Sequence, residues 1–480
     1  MEARVRAARQ AVPPVTTTRP PGPRGRELLR AVAGRRRDPV ALLLSLRERY
    51  GPIVHIRVGD TSQFLVSSTD AIRHVLVDNS RNYTKGPAYE LLGELLGRGL
   101  VTSEGEHWRA HRRLVQPTLQ RERLDGFVGL IRAAAEAEAE DLLALAPSGA
   151  PIDAYARMNT LALRIVTRTL LGGDIAGRED DVHDALGIVF DHIESLSSSR
   201  LRFLELLPGG SRTRGLRMRL GRLPTRARRR FEQAIAALDA IIFDVIERRR
   251  RDLDAGRAGV DLVSALLEAS DEGAGGLDDR DVRDEVMTMF VAGHETVATA
   301  LTWTLYLLAI HPDVQEGVAA EAEAALPVAA DLASTMRLAL GRRVVEESLR
   351  LYPPIWRLSR FAVADDVIGG FHVPAGSVVI VSPFVVHRDP EHWPDPDRFD
   401  PARFQAERAT GRERLAYLPF GAGQRMCPGG SFAMLESLLV LSTLCRALRF
   451  AVAPGHAPGF EPRVALRPAG GMPLTVERRA

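Results

Sequence analysis

Residues 420–429 read Phe-Gly-Ala-Gly-Gln-Arg-Met-Cys-Pro-Gly and place Cys427 between a glycine-rich bend and an apolar run, 431–448, of helical length and spacing. A sulfur at or just before a helix N-terminus meets unpaired amides and the positive end of the helix dipole, which favour a thiolate. Gly421 and Gly423 permit a tight turn or close approach to a flat, bulky body, and Arg425 offers that body a cation. A thiolate beside a planar, anionic, apolar partner is the arrangement of haem held through sulfur. Two plainer readings stand beside it. A lone cysteine is usually a small buried hydrophobe, and glycine-rich bends before helices also bind phosphate.

A second group lies in the apolar segment 284–310, where Gly293, Glu295 and Thr296 interrupt an otherwise buried helical pattern. A glycine costs a helix roughly 1 kcal/mol against alanine, and a buried acid needs a partner. The gap can be a local bend, or room for a small ligand with a hydroxyl and an acid beside it. Glu347 and Arg350 stand one helical turn apart, as do Trp108 and Arg112, so each pair shares a face.

The elements that must position these groups follow from pattern. A helix from Asp38 leads into strands at 53–58 and 63–66, and 106–310 reads almost entirely as helix, with breaks at Pro117, Pro147, 172–173, 208–210 and 273–276. Beyond Tyr352 short strands alternate with turns, ending in a hairpin at Gly470-Gly471. The expected class is mainly α with small β sheets. Residues 1–25, rich in Pro and Arg, are expected to be poorly ordered, and 26–480 to form one domain.

Composition is ordinary, 45% hydrophobic and 26% charged, and a net charge of +3 gives no reason to expect nucleic acid as a partner. Lys85 is the only lysine. Cys427 and Cys445 are the only cysteines, too few for a disulfide framework or a four-cysteine zinc site. Along one helix they would lie roughly 27 Å apart, beyond disulfide reach. No signal-peptide core or transmembrane-length apolar stretch occurs, so a soluble, cytoplasmic protein without a transmembrane anchor is expected.

The cysteine loop resembles the haem-binding loop of the haem-thiolate monooxygenases, the cytochromes P450, at Phe420, Gly421, Gly423, Arg425, Cys427 and Gly429. Residues Ala292-Gly293-His294-Glu295-Thr296 resemble the family's oxygen-binding groove, with Val297 where a second threonine often follows. Glu347 and Arg350 resemble its buried Glu-x-x-Arg pair. Arg403, in a Pro-Ala-Arg-Phe version of Pro-Glu-Arg-Phe, would complete a structural triad, with Arg398 as competitor. The resemblance implies haem b (iron protoporphyrin IX) ligated by Cys427, under a long central helix on which Thr296 and Glu295 deliver protons. Trp108, Arg112, Arg360 and Arg425 would hold the propionates, with His111 and His387 as further candidates.

The implied reaction, a hydroxylation or epoxidation, inserts one atom of O2 into a hydrophobic small molecule; terpenoid, fatty acyl, polyketide and aromatic ligands all suit such a pocket, terpenoid-like skeletons slightly more than the others. Leu91, Leu95, Phe290, Ala292, Ile355, Trp356 and Met472 would line the pocket, helped by Tyr89, Leu92, Leu96 and Met289. Only 53 residues follow Cys427, so electrons are expected from NAD(P)H through a separate ferredoxin reductase and ferredoxin. Arg109, Arg113, Arg342 and Arg343 could form the docking face. The basic stretch 200–230 could touch a membrane or an acidic partner, or form a solvated lid. Two rivals remain: a haem-thiolate isomerase, dehydratase or peroxygenase, and a haem-based sensor or carrier.

Overall fold

The computed structural model describes residues 19–28, 30, 38–58, 61–86, 89–119, 121–172, 178–198, 225–257, 259, 261–271, 277–326 and 331–479. Helix α1 (Pro39–Tyr50) starts where Asp38 accepts from the amides of Val40 and Ala41 and stops at Gly51, whose φ of 91° few other residues tolerate. It leads into β1 (Ile53–Val58) and β2 (Thr61–Val66), an antiparallel pair in which Ile53 faces Val66. The second strand begins two residues before the hydrophobic alternation suggests.

Among the described residues from 90 to 271, seven helices follow: α2 (Glu90–Leu96), α3 (Gly105–Thr118), α4 (Arg121–Leu145), α5 (Ala154–Leu171), α6 (Glu179–Ser198), α7 (Arg226–Asp254) and α8 (Leu262–Asp271). The expected break at Pro117 is present: it lies in the last turn of α3, which ends at Thr118, and α4 starts at Arg121. The helical stretch is not unbroken either, because the short strand Ile152–Asp153 interrupts it. Helix α9 (Asp279–Ala309) is the longest at 31 residues and opens with a reciprocal capping box between Asp278 and Asp281. It is followed by α10 (Pro312–Ala325), α11 (Ala339–Leu351) and, after the β-rich segment, α12 (Gly430–Ala447).

Among the described residues the other strands are short, and with β1 and β2 they form four sheets. The largest has five strands and joins 53–58, 61–66, 378–381, 358–362 and 83–84 in that order. Its one parallel pairing sets Gln63 opposite Val378. Strand 473–478 lies between 152–153 and 448–452 in a second sheet, and two isolated hairpins complete the set. The expected final hairpin is instead split between sheets, 466–469 pairing with 459–462.

The main core lies among α3 to α12. Two smaller clusters sit on the five-stranded sheet, one under the turn His74–Asp78 and one under α1. Among the described residues, α12 is the one helix long and apolar enough to cross a membrane, and 72% of its apolar window is buried inside this fold. The N-terminal segment and the basic 200–230 stretch fall largely outside the described residues.

Candidate functional site

Cys427 sits three residues before α12, on a loop closed by its own amide donating to the Phe420 carbonyl at 2.9 Å. Gly423 has φ +71°, and a Cβ there would lie 1.9 Å from the Leu76 carbonyl oxygen. Only glycine passes. Gly421 also has positive φ, at +72°, and the Phe420 ring packs 3.3 Å from where a Cβ on Gly430 would stand.

The sulfur is accessible, yet burial pushes the Cys427 thiol up. The residue thus combines an open face with a surround that disfavours its charge. The Gly429 amide and the nearby Arg112 charge pull the other way, toward a thiolate.

A cluster of cations gathers near this loop. Arg425 stacks on Trp108 with its guanidinium carbon 3.8 Å from the ring centroid, donates to the Ser103 carbonyl at 2.9 Å, and pairs with Glu104. Burial, then the charges of Arg360 and Arg112, hold its pKa down to about 10 against the help of Glu104. Arg360 is 8% exposed, with Ser359, its own neighbour, supplying the carbonyl it donates to. Burial lowers its pKa as well.

Lys85 joins them from the strand end at 83–84. Its ammonium donates to the carbonyls of Leu100 and Val101, and burial with the Arg425 and Arg360 charges pushes its pKa down to about 7. Arg112 is half-buried, bonded to Gln116 at 2.9 Å, and its pKa is lowered by burial although Cys427 favours its charge. Glu104 is the acidic neighbour of Arg425, Arg360 and Lys85, and Glu285 acts on Lys85 as well. Such a cluster fits the two carboxylates of a haem, and the enclosed sulfur fits its iron.

On α9, Ala292 is exposed although Phe290 and Val297 are 1% and 3% exposed, so the helix opens locally at its middle. Thr296 donates from Oγ1 to the Ala292 carbonyl at 2.6 Å. Glu295 is desolvated, which raises its pKa against the opposing charge of Arg467, 4.0 Å away. Arg467 also touches Glu461 at 3.0 Å and hydrogen-bonds Tyr155.

Glu347 and Arg350, both 0% exposed, pair through two contacts of 2.7 and 2.8 Å. Arg403 reaches Glu347 at 3.4 Å, and Arg398 contributes its carbonyl, not its charge, to Arg350 at 3.1 Å. The carbonyls of His387 and Pro396 take the remaining donors of Arg350, and the Asp400 amide donates to Glu347. His387 is itself buried between the Arg350 carbonyl and the Leu418 amide, its pKa pushed down to about 3 by burial and the Arg350 charge. His111 turns to Glu285, at 2.8 Å. Neither histidine belongs to the cationic cluster.

The expected wall residues separate. Ala292 is exposed and Ile355 half-buried, whereas Leu95, Phe290 and Met472 are buried in the main core and Trp356 under α1, its indole donating to the Arg463 carbonyl. Leu91 lies on α2, its side chain outside the described set. Arg109 and Arg342 pair with Glu106 and Glu346 of their own helices, and Arg113 is exposed. Lys85, Glu104 and Arg467 were not singled out by sequence. Lys85 alone carried a signal, as the sole lysine.

The family model described as cytochrome P450 matches residues 20–472. Cyclooctat-9-en-7-ol 5-monooxygenase of Streptomyces melanosporofaciens is 36% identical over 429 residues, covering 87% of this chain and 86% of its own. Pentalenene oxygenase of Streptomyces avermitilis is 34% identical over 423 residues, with 87% and 88% covered. Among solved structures, the haem domain of cytochrome P450DA superposes with a TM-score of 0.82 at 25% identity, over 97% of this chain and 98% of that one. A cysteine loop shaped by glycine, buried cations in want of an anion and a match along almost the whole length converge: the chain belongs to the cytochrome P450 family, haem-dependent oxidoreductases of the monooxygenase type.

Proposed function

We propose that Cys427 ligates the iron of haem b and that the enzyme hydroxylates or epoxidises a polycyclic terpenoid with one atom of O2. The observation that carries this reading is the Cys427 sulfur, accessible in a desolvated setting where the Gly429 amide and Arg112 both favour the thiolate. Bound haem supplies the redox chemistry of oxygen activation, with electron donation from sulfur favouring O–O cleavage.

The chain's own residues supply positioning and protons. Lys85, Arg112, Arg360 and Arg425 hold the haem carboxylates, with Trp108 fixing the Arg425 plane. The exposed Ala292 and the adjoining apolar surface hold substrate. Because its pKa is raised, Glu295 can carry a proton closer to neutral pH than an ordinary carboxyl. It takes that proton on the side of Arg467 and Tyr155 and hands it toward Thr296, whose hydroxyl donates to Ala292 and keeps its lone pairs free to accept.

The substrate class rests on the relatives named for cyclooctat-9-en-7-ol and pentalenene. Electrons come from a separate ferredoxin docking on the face that includes Arg109 and Arg113, in the cytoplasm. Replacing Arg113 with Glu then slows reduction without altering substrate affinity.

The test is optical. Ferric protein titrated with cyclic sesquiterpenes and diterpenes should shift from low to high spin, and product should require NAD(P)H and a ferredoxin system. Cys427→Ala should lose the thiolate signature of the reduced carbonyl complex. A wild-type carbonyl complex resembling that of a histidine-ligated globin overturns the assignment of Cys427. Turnover without any reductant overturns the monooxygenase chemistry.

A further inference from the structure

His107 and His111 stand one turn apart on α3, with ring centroids 3.9 Å apart. Asp281, in the first turn of α9, points to the same place. One ligand atom from each of the three lies within 4.8 Å of the other two.

The other contacts of these side chains fix where their electron pairs face. His111 is 4% exposed, and its Nδ1 donates to Oε1 of the fully buried Glu285 at 2.8 Å. Its Nε2 stands 3.6 Å from Oδ1 of Asp281, beyond hydrogen-bond range, so the two atoms face each other without a direct bond. Oδ2 of Asp281 is turned away, accepting from the Asp278 amide in the capping box. His107 donates from Nε2 to the Arg98 carbonyl at 3.0 Å, leaving Nδ1 to act as a ligand.

We propose that His107, His111 and Asp281 form a site for a divalent transition metal, with zinc as the ion that best fits them. Two imidazoles and a carboxylate are a recurrent zinc set, leaving one position for water. The partners behind the ligands agree. Metal-bound imidazoles habitually give their second N–H to a carboxylate or a backbone carbonyl, and here those are Glu285 and Arg98. A cation between Nε2 and Oδ1 would join two atoms that stand too far apart to bond each other directly. Ligand atoms about 2.1 Å from a shared ion lie about 3.4 Å from one another. The half-buried side chains of His107 and Asp281 must rotate to close that distance. The site joins α3, which carries Trp108 and Arg112, to α9, which carries Glu295 and Thr296. Bound metal therefore braces the two helices against each other.

The experiment titrates untagged, chelator-dialysed holoprotein with Zn2+ by calorimetry. One equivalent should bind, with affinity falling at least about tenfold in His107→Gln and Asp281→Asn and unchanged in the control His372→Gln, an exposed histidine elsewhere. Zn2+ should raise the thermal midpoint of wild type and not of the two variants. Retained haem content shows separately that each variant is folded. Absence of stoichiometric binding, or binding that all three variants share equally with wild type, overturns the proposal.

Discussion

Two regions of the molecule bury arginines, and they treat them in opposite ways. Behind the cysteine loop, Arg350 and Arg403 converge on Glu347, and backbone carbonyls take the donors left over. In the cationic cluster, Arg360 is buried almost as deeply and is met by a neighbouring carbonyl, while Lys85 gives up part of its affinity for a proton. Desolvating a charge is costly unless a counter-charge and hydrogen bonds offset it. The first region satisfies that condition internally and so is architecture. The second does not, and reads as a receptor for an anion supplied from outside.

The contrast can be broken most severely at Glu347. Glu347→Gln leaves Arg350 buried without its counter-charge and should cost about 3–5 kcal/mol of stability, measured by chemical denaturation. A loss below about 1 kcal/mol would make the triad no different from a surface pair. Arg360→Ala should behave in the reverse sense. Haem-free protein should keep or gain stability, whereas haem retention should weaken by about 1.5–3 kcal/mol, measured by haem transfer to an acceptor globin. If the haem-free form is instead crippled, the two regions are alike.

Lys85 sharpens the comparison through pH. Its pKa is about 7 in the fold against 10.5 in the unfolded chain, so between those values the unfolded state binds the extra proton. The stability of haem-free protein should therefore rise with pH across that window, by at most about 1.4 kcal/mol per unit, and the full penalty should persist below pH 7. Lys85→Met should flatten the profile in a denaturation series, as should bound haem. The smallest effect on stability is expected at Thr296, which is bonded within its own helix. Thr296→Ala should cost under about 1 kcal/mol, and its mark should appear in a lower yield of product per NAD(P)H oxidised.

Sequence was most informative where chemistry is local. The cysteine loop lies in ten consecutive residues, and the pairs Glu347/Arg350 and Trp108/Arg112 follow from helical spacing alone. It was silent where partners are remote. Arg425 finds Glu104 across 321 positions, and Arg467 comes to Glu295 from a strand near the C-terminus. In a chain with 63 arginines, no pattern marks which of them will meet an acid. The choice between Arg398 and Arg403 needed three dimensions, since only backbone geometry decides which one offers a guanidinium and which a carbonyl. Burial also could not be foreseen for Trp356 and Met472, whose apolar character suits a pocket and a core equally.

The contact between Gly423 and the carbonyl of Leu76 has an evolutionary corollary. The loop that presents the sulfur is moulded against a turn nearly 350 positions upstream, and neither can drift without the other. The loop that carries the cysteine is held in place while side chains away from that contact remain free to vary.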